Sequence, residues 1–256
     1  TNANWTLIEF LGLFNTSTTY PVGAIVFTSN GKLWASVVSS NLNNNPLTDA
    51  DGDYWTSSVA TPTPKTTAGL IISEEVFAAN IIVNTSGYTN SGDGGRGSWK
   101  QNGVTGQTVS QSPAQLGSGL LNDGNGVQWA LDTTRKVYSK SLGCIADDTA
   151  DDTLPLRAWL ATGGNNYLSR GTHKTTGSIT KTGQFYNIHG AGIQASIIKS
   201  YGNYDTLVLD NGALSISRIS IRDIGIFAEA GDKTTGASIK ANTSLISSDF
   251  TNIYVR

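Results

Sequence analysis

Residues 141–173 read SLGCIADDTADDTLPLRAWLATGGNNYLSRGTH, and the fold of the chain turns on how this stretch is taken. Four acids, Asp147, Asp148, Asp151 and Asp152, stand close together, a grouping that metal binding and acid–base catalysis both use. The residues after them argue for a simpler role. Leu156, Trp159 and Leu160 recur at i, i+3 and i+4, one face of a helix over residues 154–162. Pro155 is tolerated in its first turn and Gly163 suits its end. Asp151, Asp152 and Thr153 stand at its start and are read as helix-capping residues, whose side-chain oxygens accept from the orphan N–H groups of the first turn. No metal ligand is assigned.

The helix is followed by NYLSRGTH (166–173), then by Gly190-Ala191-Gly192 and Ile197-Ile198. The order of Gly143, Asp151-Asp152-Thr153, the short helix, Gly171-Thr172-His173, Gly190-Ala191-Gly192 and Ile197-Ile198 resembles the opening of the pectate-lyase-like right-handed β-helix of bacteriophage tailspikes and related polysaccharide-cleaving enzymes. His173 stands where that family usually has Tyr, and Ala146 where it often has Gly; neither departure threatens the fold. Upstream, Gly87-Tyr88, Gly92-Asp93-Gly94-Gly95 and Trp129 are similar to the segment that precedes this β-helix. The resemblance covers residues 75–256.

A repeat supports a solenoid. FYNIHG (185–190), IRDIGI (221–226) and FTNIYV (250–255) share an apolar residue, Asn or Asp, and Ile. Aligned in this way, Ile188, Ile224 and Ile253 are expected to stack inward from coil to coil. Asn187, Asp223 and Asn252 are expected near corners, where such residues satisfy backbone groups and tolerate unusual φ. Residues 207–209, 216–221 and 237–239 supply other strands. The last strand-like stretch, FTNIYVR, has no coil after it, so the N-terminal part of a longer β-helix is expected.

The first 60 residues read separately. Residues 24–27 and 32–38 are strands joined by a turn at Ser29-Asn30-Gly31. Tyr20, Gly23, Val26, Gly31-Lys32-Leu33-Trp34, Pro46 and Trp55 resemble the small chitin-binding modules of carbohydrate-binding families 5 and 12. Sugar-binding members carry an aromatic pair after the Trp34 position, and here Val37-Val38-Ser39-Ser40 stands there. Trp34, Tyr54 and Trp55 are the candidates for carbohydrate or partner binding, with Trp34 and Trp55 read as core and Tyr54 as the ring able to face outward. TNANWTLI at the start resembles the tail of a preceding copy, over residues 1–12.

The domain reading is therefore a chitin-binding-like attachment module at 1–60, a linker at 61–69, a β-rich domain at 70–140 and truncated β-helix coils at 141–256. The fold class is mainly β: a small three-stranded module, a β-rich connecting domain, then the start of a right-handed parallel β-helix with a short capping α-helix. A short helix is also expected from Ser73, with Glu74 and Glu75 at its positive end. GYTNSGDGGRGSW (87–99) is glycine-rich but has no Gly-Lys-Ser/Thr, so it is read as tight turns rather than a phosphate loop.

Composition excludes other classes. Charged residues are 14% of 256 and the net charge is −2, which gives no footprint for nucleic acid. No apolar run is long enough to insert in a membrane as a helix. Cys144 is the only cysteine, so no intrachain disulfide is possible, and it reads as a small core residue. His173 and His189 read as structural or surface groups. The acids of the coils, Asp205, Asp210, Asp223, Glu229, Asp232 and Asp249, sit mostly beside turn residues. No catalytic residue and no cofactor is assigned.

The tailspike resemblance implies a homotrimer on the virion, in the phage tail and extracellular. Its N-terminal region would hold other virion or tailspike proteins, and it would recognise a bacterial surface polysaccharide. It implies that the full-length protein degrades that polysaccharide, by hydrolysis or β-elimination, with the catalytic residues beyond 256. The alternatives are a secreted bacterial polysaccharide lyase or hydrolase with a carbohydrate-binding module, and a non-catalytic docking fragment.

Overall fold

Strands dominate the chain, as short β-branched runs between Gly, Asn and Asp clusters require. The computed structural model describes residues 10–28, 33–49, 53–57, 65–75, 77, 81–163, 165–212, 214–229 and 235–256. They fall into two units, Thr1–Thr63 and Pro64–Arg256.

The first unit contains β1 (Phe10–Leu13), β2 (Thr19–Tyr20), β3 (Ile25–Phe27), β4 (Leu33–Ser36), β5 (Asn41–Leu42) and β6 (Trp55–Ser57). β3, β4 and β6 make the antiparallel three-stranded sheet, with Val26 opposite Trp34 and Ser36 opposite Trp55. β1 lies parallel to β3 as a fourth strand, so the end of the stretch compared with a preceding copy joins this sheet. β2 and β5 pair apart from it. A module this small has few residues to bury, so aromatic rings fill it. Tyr20 and Trp55 are buried and meet edge to face at 5.3 Å, with Phe14 and Trp34 packed against them. The turn expected at Ser29-Asn30-Gly31 lies outside the described residues.

The second unit opens with α1 (Thr67–Ile71). Among the described residues, the helix expected from Ser73 is absent: 73–75 and 77 are not helical. Thr66 Oγ1 caps α1 by accepting from the Gly69 N–H at 3.1 Å, and Leu70 and Ile71 are its buried face. A short helix is held by packing rather than propensity, and in α1 that packing comes from Leu70 and Ile71, while Phe77 reaches the core from non-helical backbone and meets Trp129 edge to face at 5.1 Å. Ser73 Oγ instead accepts from the Glu75 N–H in a local turn. Next come β7 (Ile82–Thr85), β8 (Gly97–Gln101), α2 (Pro113–Leu116), β9 (Leu120–Asn122) and β10 (Gln128–Leu131). The strands form an antiparallel sheet in the order β7-β8-β10-β9, with Trp99 and Trp129 fully buried.

The chain then begins to coil. β11 (Val137–Tyr138) and β12 (Asp147–Asp151) precede α3 (Thr153–Ala161), whose Leu156, Trp159 and Leu160 are buried. After α3 come β13 (Asn165–Tyr167), β14 (Gly171–Thr175), β15 (Ile179–Thr182), β16 (Asn187–His189), β17 (Ser196–Ser200) and β18 (Leu207–Asp210). Then come β19 (Ile216–Ser217), β20 (Ser220–Ala228), β21 (Ile239–Ala241), β22 (Leu245–Ile246) and β23 (Asp249–Val255). These strands pair in parallel from coil to coil. This is the start of a parallel β-helix with α3 packed on its first coil.

The register corrects one expectation. Ile188 stacks on Ile221, not on Ile224, and Asn187 faces Ser220. Ile224 does stack on Ile253. Asp223 and Asn252 are the corner residues, at φ 59° and 51°, and Asn252 Nδ2 donates to Asp223 Oδ1 at 2.7 Å. One coil earlier the corner is made by Gly190 to Gly192, where a Cβ on Gly190 would lie 2.2 Å from the Asp223 carbonyl oxygen. The two motifs look alike because Ile221 and Ile224 are both fully buried, one before the corner and one after it.

The first coil differs from those above it. Asn166, His173 and Lys181 occupy the inward columns that Ile188, Ile198 and Leu209 fill in the next coil. Each reaches toward α3. Asn166 Nδ2 donates to the Trp159 carbonyl at 2.6 Å, Lys181 Nζ donates to the Leu160 carbonyl, and His173 Nδ1 lies 3.0 Å from Asp152 Oδ2. A helix end needs polar partners when buried, so the coil beneath it is polar where later coils are aliphatic.

Candidate functional site

In the first unit, Trp55 is buried and its Nε1 donates to the Asn44 carbonyl at 2.6 Å. Trp34 packs partly against the same core, with Nε1 donating to Thr28 Oγ1 at 3.2 Å. Tyr54 is 41% exposed. The three rings therefore do not form one platform.

The four acids before α3 scatter to four tasks. Asp147 Oδ1 accepts from the Thr149 and Ala150 N–H groups, both at 2.9 Å, and hydrogen bonds from Thr149 and Ala150 bring its carboxyl down to about 2. Asp148 binds Lys199 Nζ at 3.0 Å and accepts from the Tyr201 hydroxyl at 3.1 Å. Asp151 Oδ1 accepts from the N–H of Thr153, the first residue of α3, at 3.0 Å. Asp152 stands at the N-cap, but its oxygens accept from the Ile145 and Ala146 N–H groups at 2.8 and 2.9 Å, outside the helix.

Asp152 also heads a buried network that the sequence did not reveal. Asp152, His173 and Ser139 line up as carboxyl, imidazole and hydroxyl, the order used by hydrolytic triads. His173 Nε2 is 3.5 Å from Ser139 Oγ. All three are buried, and Ser139 Oγ already accepts from the Ser169 N–H at 3.0 Å, so no substrate atom can reach it. Cys144, Asp152 and His173 also bring donor atoms within 4.8 Å of one another. Burial, with Asp152 adding to it, pushes the Cys144 thiol well up, which disfavours the thiolate that a metal would need. The arrangement is a satisfied internal network.

The acids on the coils are engaged as well. Asp205 accepts from the Ala237 N–H and binds Lys240, Asp210 binds Gly212 and Asn242, and Asp249 accepts from the Thr251 hydroxyl. Asp232 lies outside the described residues. Glu229 meets Lys199 at 2.5 Å, and that hydrogen bond outweighs burial and lowers its carboxyl. A general acid needs the opposite shift.

A groove of about 580 Å³ is the concave site that brings chemistry together. Its floor follows from register: Tyr138 and Tyr167 are partners across β11 and β13, with rings 5.2 Å apart. Its wall is the glycine-rich loop. Asp93 accepts from the N–H groups of Tyr88, Thr89, Asn90 and Gly95. Burial works against that charge, but the four backbone donors outweigh it and its carboxyl is lowered. Gly95 has no room for a Cβ, which would lie 2.6 Å from the Lys140 carbonyl oxygen. Arg96 lies over the Tyr138 ring at 5.9 Å and Lys136 over the Tyr167 ring at 5.2 Å. Lys140 and Arg170 complete the rim, and among the described residues none of these four cations is in an ion pair. A second groove of about 520 Å³ shares Arg96, Lys136 and Tyr138. Along the same ladder, His189, Arg222 and Thr251 come after Tyr167. Burial, with Arg222 next in effect, lowers the His189 imidazole.

No protein-family profile and no curated protein sequence matches the chain. Among solved structures, full-length tailspike protein 2 from Escherichia coli O157:H7 bacteriophage CAB120 is similar, with a TM-score of 0.51 at 16% identity over 91% of this chain and 34% of that one. The enzymatically active domain of tailspike protein 2 from bacteriophage CBA120 gives a TM-score of 0.48 at 17% identity, over 75% of this chain and 25% of that one. The chain thus spans about a third of the length of the full-length tailspike it matches. At this identity the likeness establishes the fold: a mainly β chain with the beginning of a parallel β-helix, of the kind built by a phage tailspike.

Proposed function

We propose that this chain is part of a phage tailspike, a receptor-binding protein of the virion tail that recognises a bacterial surface polysaccharide. The observation that carries this reading is the fold shared with a phage tailspike over 91% of the chain. The pectate-lyase-like order of motifs around α3 supports it. The unit Thr1–Thr63 then serves as the attachment region toward other virion or tailspike proteins, and the native spike is a homotrimer. Cleavage of the polysaccharide belongs to the parent protein. The acids described on these coils are committed to turns, ladders and ion pairs, so catalysis is assigned beyond them. The alternative of a secreted enzyme with a working chitin-binding module loses support from Trp34 and Trp55, whose rings belong to the core of their module.

The test is adhesion of the fluorescently labelled chain to a panel of bacterial strains and to derivatives lacking capsule or O-polysaccharide. Binding restricted to certain strains and lost with their polysaccharide is expected. Adhesion that ignores the polysaccharide, or none on any strain, would contradict the reading.

A further inference from the structure

We infer that the groove over Tyr138 and Tyr167 is a binding subsite for an acidic saccharide, one whose sugar units carry carboxylates. This rests on the reading that the chain meets bacterial polysaccharide, and it adds where and of what class.

The charge is the first ground. A chain of net charge −2 places Arg96, Lys136, Lys140 and Arg170 around one groove, with Asp93 as the one acid on its lining. Asp93 is spent on four backbone N–H groups of its own loop. Among the described residues, the four cations thus face the groove without a counter-ion.

Ordering is the second ground. Two of the cations lie over tyrosine rings, a contact that positions a charged group without neutralising it. A carboxylate arriving there orders little that is not ordered already, and an arginine fork can take both of its oxygens.

Shape is the third. Tyrosine offers an apolar ring beside a polar tip, and a sugar likewise offers C–H faces beside hydroxyls. The volume lies within the range of about 300–1,000 Å³ typical of small-ligand sites, and the adjoining groove shares three of the same residues. A ligand longer than one unit can therefore continue. Nucleic acid fits less well. It needs phosphate contacts repeated along a track, and these four cations surround a single groove.

The experiment is calorimetric titration of the whole chain with oligogalacturonate. Comparison ligands are the neutral galactose oligomer of equal length, inorganic phosphate and short single-stranded DNA. The R96Q/K136Q double variant is compared with wild type, and Lys100→Gln is the control at an exposed lysine outside the groove. Saturable binding of oligogalacturonate is expected, about tenfold tighter than the neutral oligomer and weakened by salt. The double variant should lose about tenfold or more in affinity, Lys100→Gln should lose none, and both should melt as wild type does. The proposal is overturned by absent binding, by equal binding of the neutral oligomer, or by undiminished binding in the double variant. Tighter binding of DNA, or phosphate binding equal to that of the sugar, also overturns it.

The strain-panel result separates the two readings. A chain that adheres through polysaccharide but takes no oligogalacturonate in the groove keeps the tailspike reading and loses this one. A chain that binds oligogalacturonate in the groove yet adheres to no polysaccharide-bearing cell does the reverse.

Discussion

His173 Nδ1 lies 3.0 Å from Asp152 Oδ2, and both side chains are buried. The contact ties the first coil of the β-helix to the start of its capping helix. Asp152 also takes the Ile145 and Ala146 N–H groups. Asp152→Ala should therefore remove the partner of the buried Ala146 N–H and His173 imidazole and of the half-buried Ile145 N–H, and cost about 3 kcal/mol or more. His173→Ile, which installs the residue type used one coil on at Ile198, should cost about 2 kcal/mol because the Asp152 carboxyl then loses its side-chain partner. Urea unfolding of the intact chain checks both. Midpoint shifts equivalent to less than about 0.5 kcal/mol would show the network to be idle.

Lys181 predicts a pH dependence. Burial lowers its pKa from 10.5 to about 8. Between those values the unfolded chain binds more protons than the folded one, so stability rises with pH. The cost of burying the ammonium is fully present below pH 8 and fades as pH climbs. Tyr186, raised by burial, acts oppositely above pH 10, so the clean window is pH 8 to 10. Wild type should gain about 1 kcal/mol relative to Lys181→Met across it. Parallel pH profiles of thermal unfolding for the two proteins would contradict the assignment.

The corner between the first two ladders predicts a glycine requirement. A Cβ at Gly190 would meet the Asp223 carbonyl oxygen at 2.2 Å, and that oxygen belongs to backbone that cannot swing aside. Gly190→Ala should cost about 2 kcal/mol or more. Asp223→Ala should cost about 1–2 kcal/mol, from the left-handed φ and the lost Asn252 contact, and Asp223→Gly less. Thermal unfolding of the three variants gives the order, and a harmless Gly190→Ala would refute the register.

Much of this architecture was legible in the sequence. The spacing of Leu156, Trp159 and Leu160 placed α3 to within a residue, and the Asp223 and Asn252 corners followed from residue type. Residues 185–190 are ambiguous in the sequence. Alternation places an isoleucine inward on both sides of a corner, so Ile188 could be matched to Ile221 or to Ile224, and only backbone pairing decides. The groove was not legible because its residues come from three separate stretches near 92–96, 136–140 and 167–170. Tyr138 and Tyr167 become a pair only once the coil register is known. His173 and Asp152 likewise meet across the length of α3.

In the first unit, Trp55 and Tyr54 are neighbours with opposite fates. Trp55→Ala should cost about 3–5 kcal/mol and unfold the module, since its ring contacts Phe14 and Tyr20. Tyr54→Ala should change stability by no more than about 0.5 kcal/mol. Thermal melts followed by tryptophan fluorescence distinguish them. Equal losses would mean that Tyr54 also belongs to the core.

The most direct measurement is hydrogen–deuterium exchange of the whole chain with and without oligogalacturonate, the probe of the proposed groove. Slowed exchange is expected in peptides covering residues 92–97, 136–140 and 165–170. Protection confined to residues 1–63, or none in those three peptides at saturation, would contradict the groove as the place where the saccharide sits.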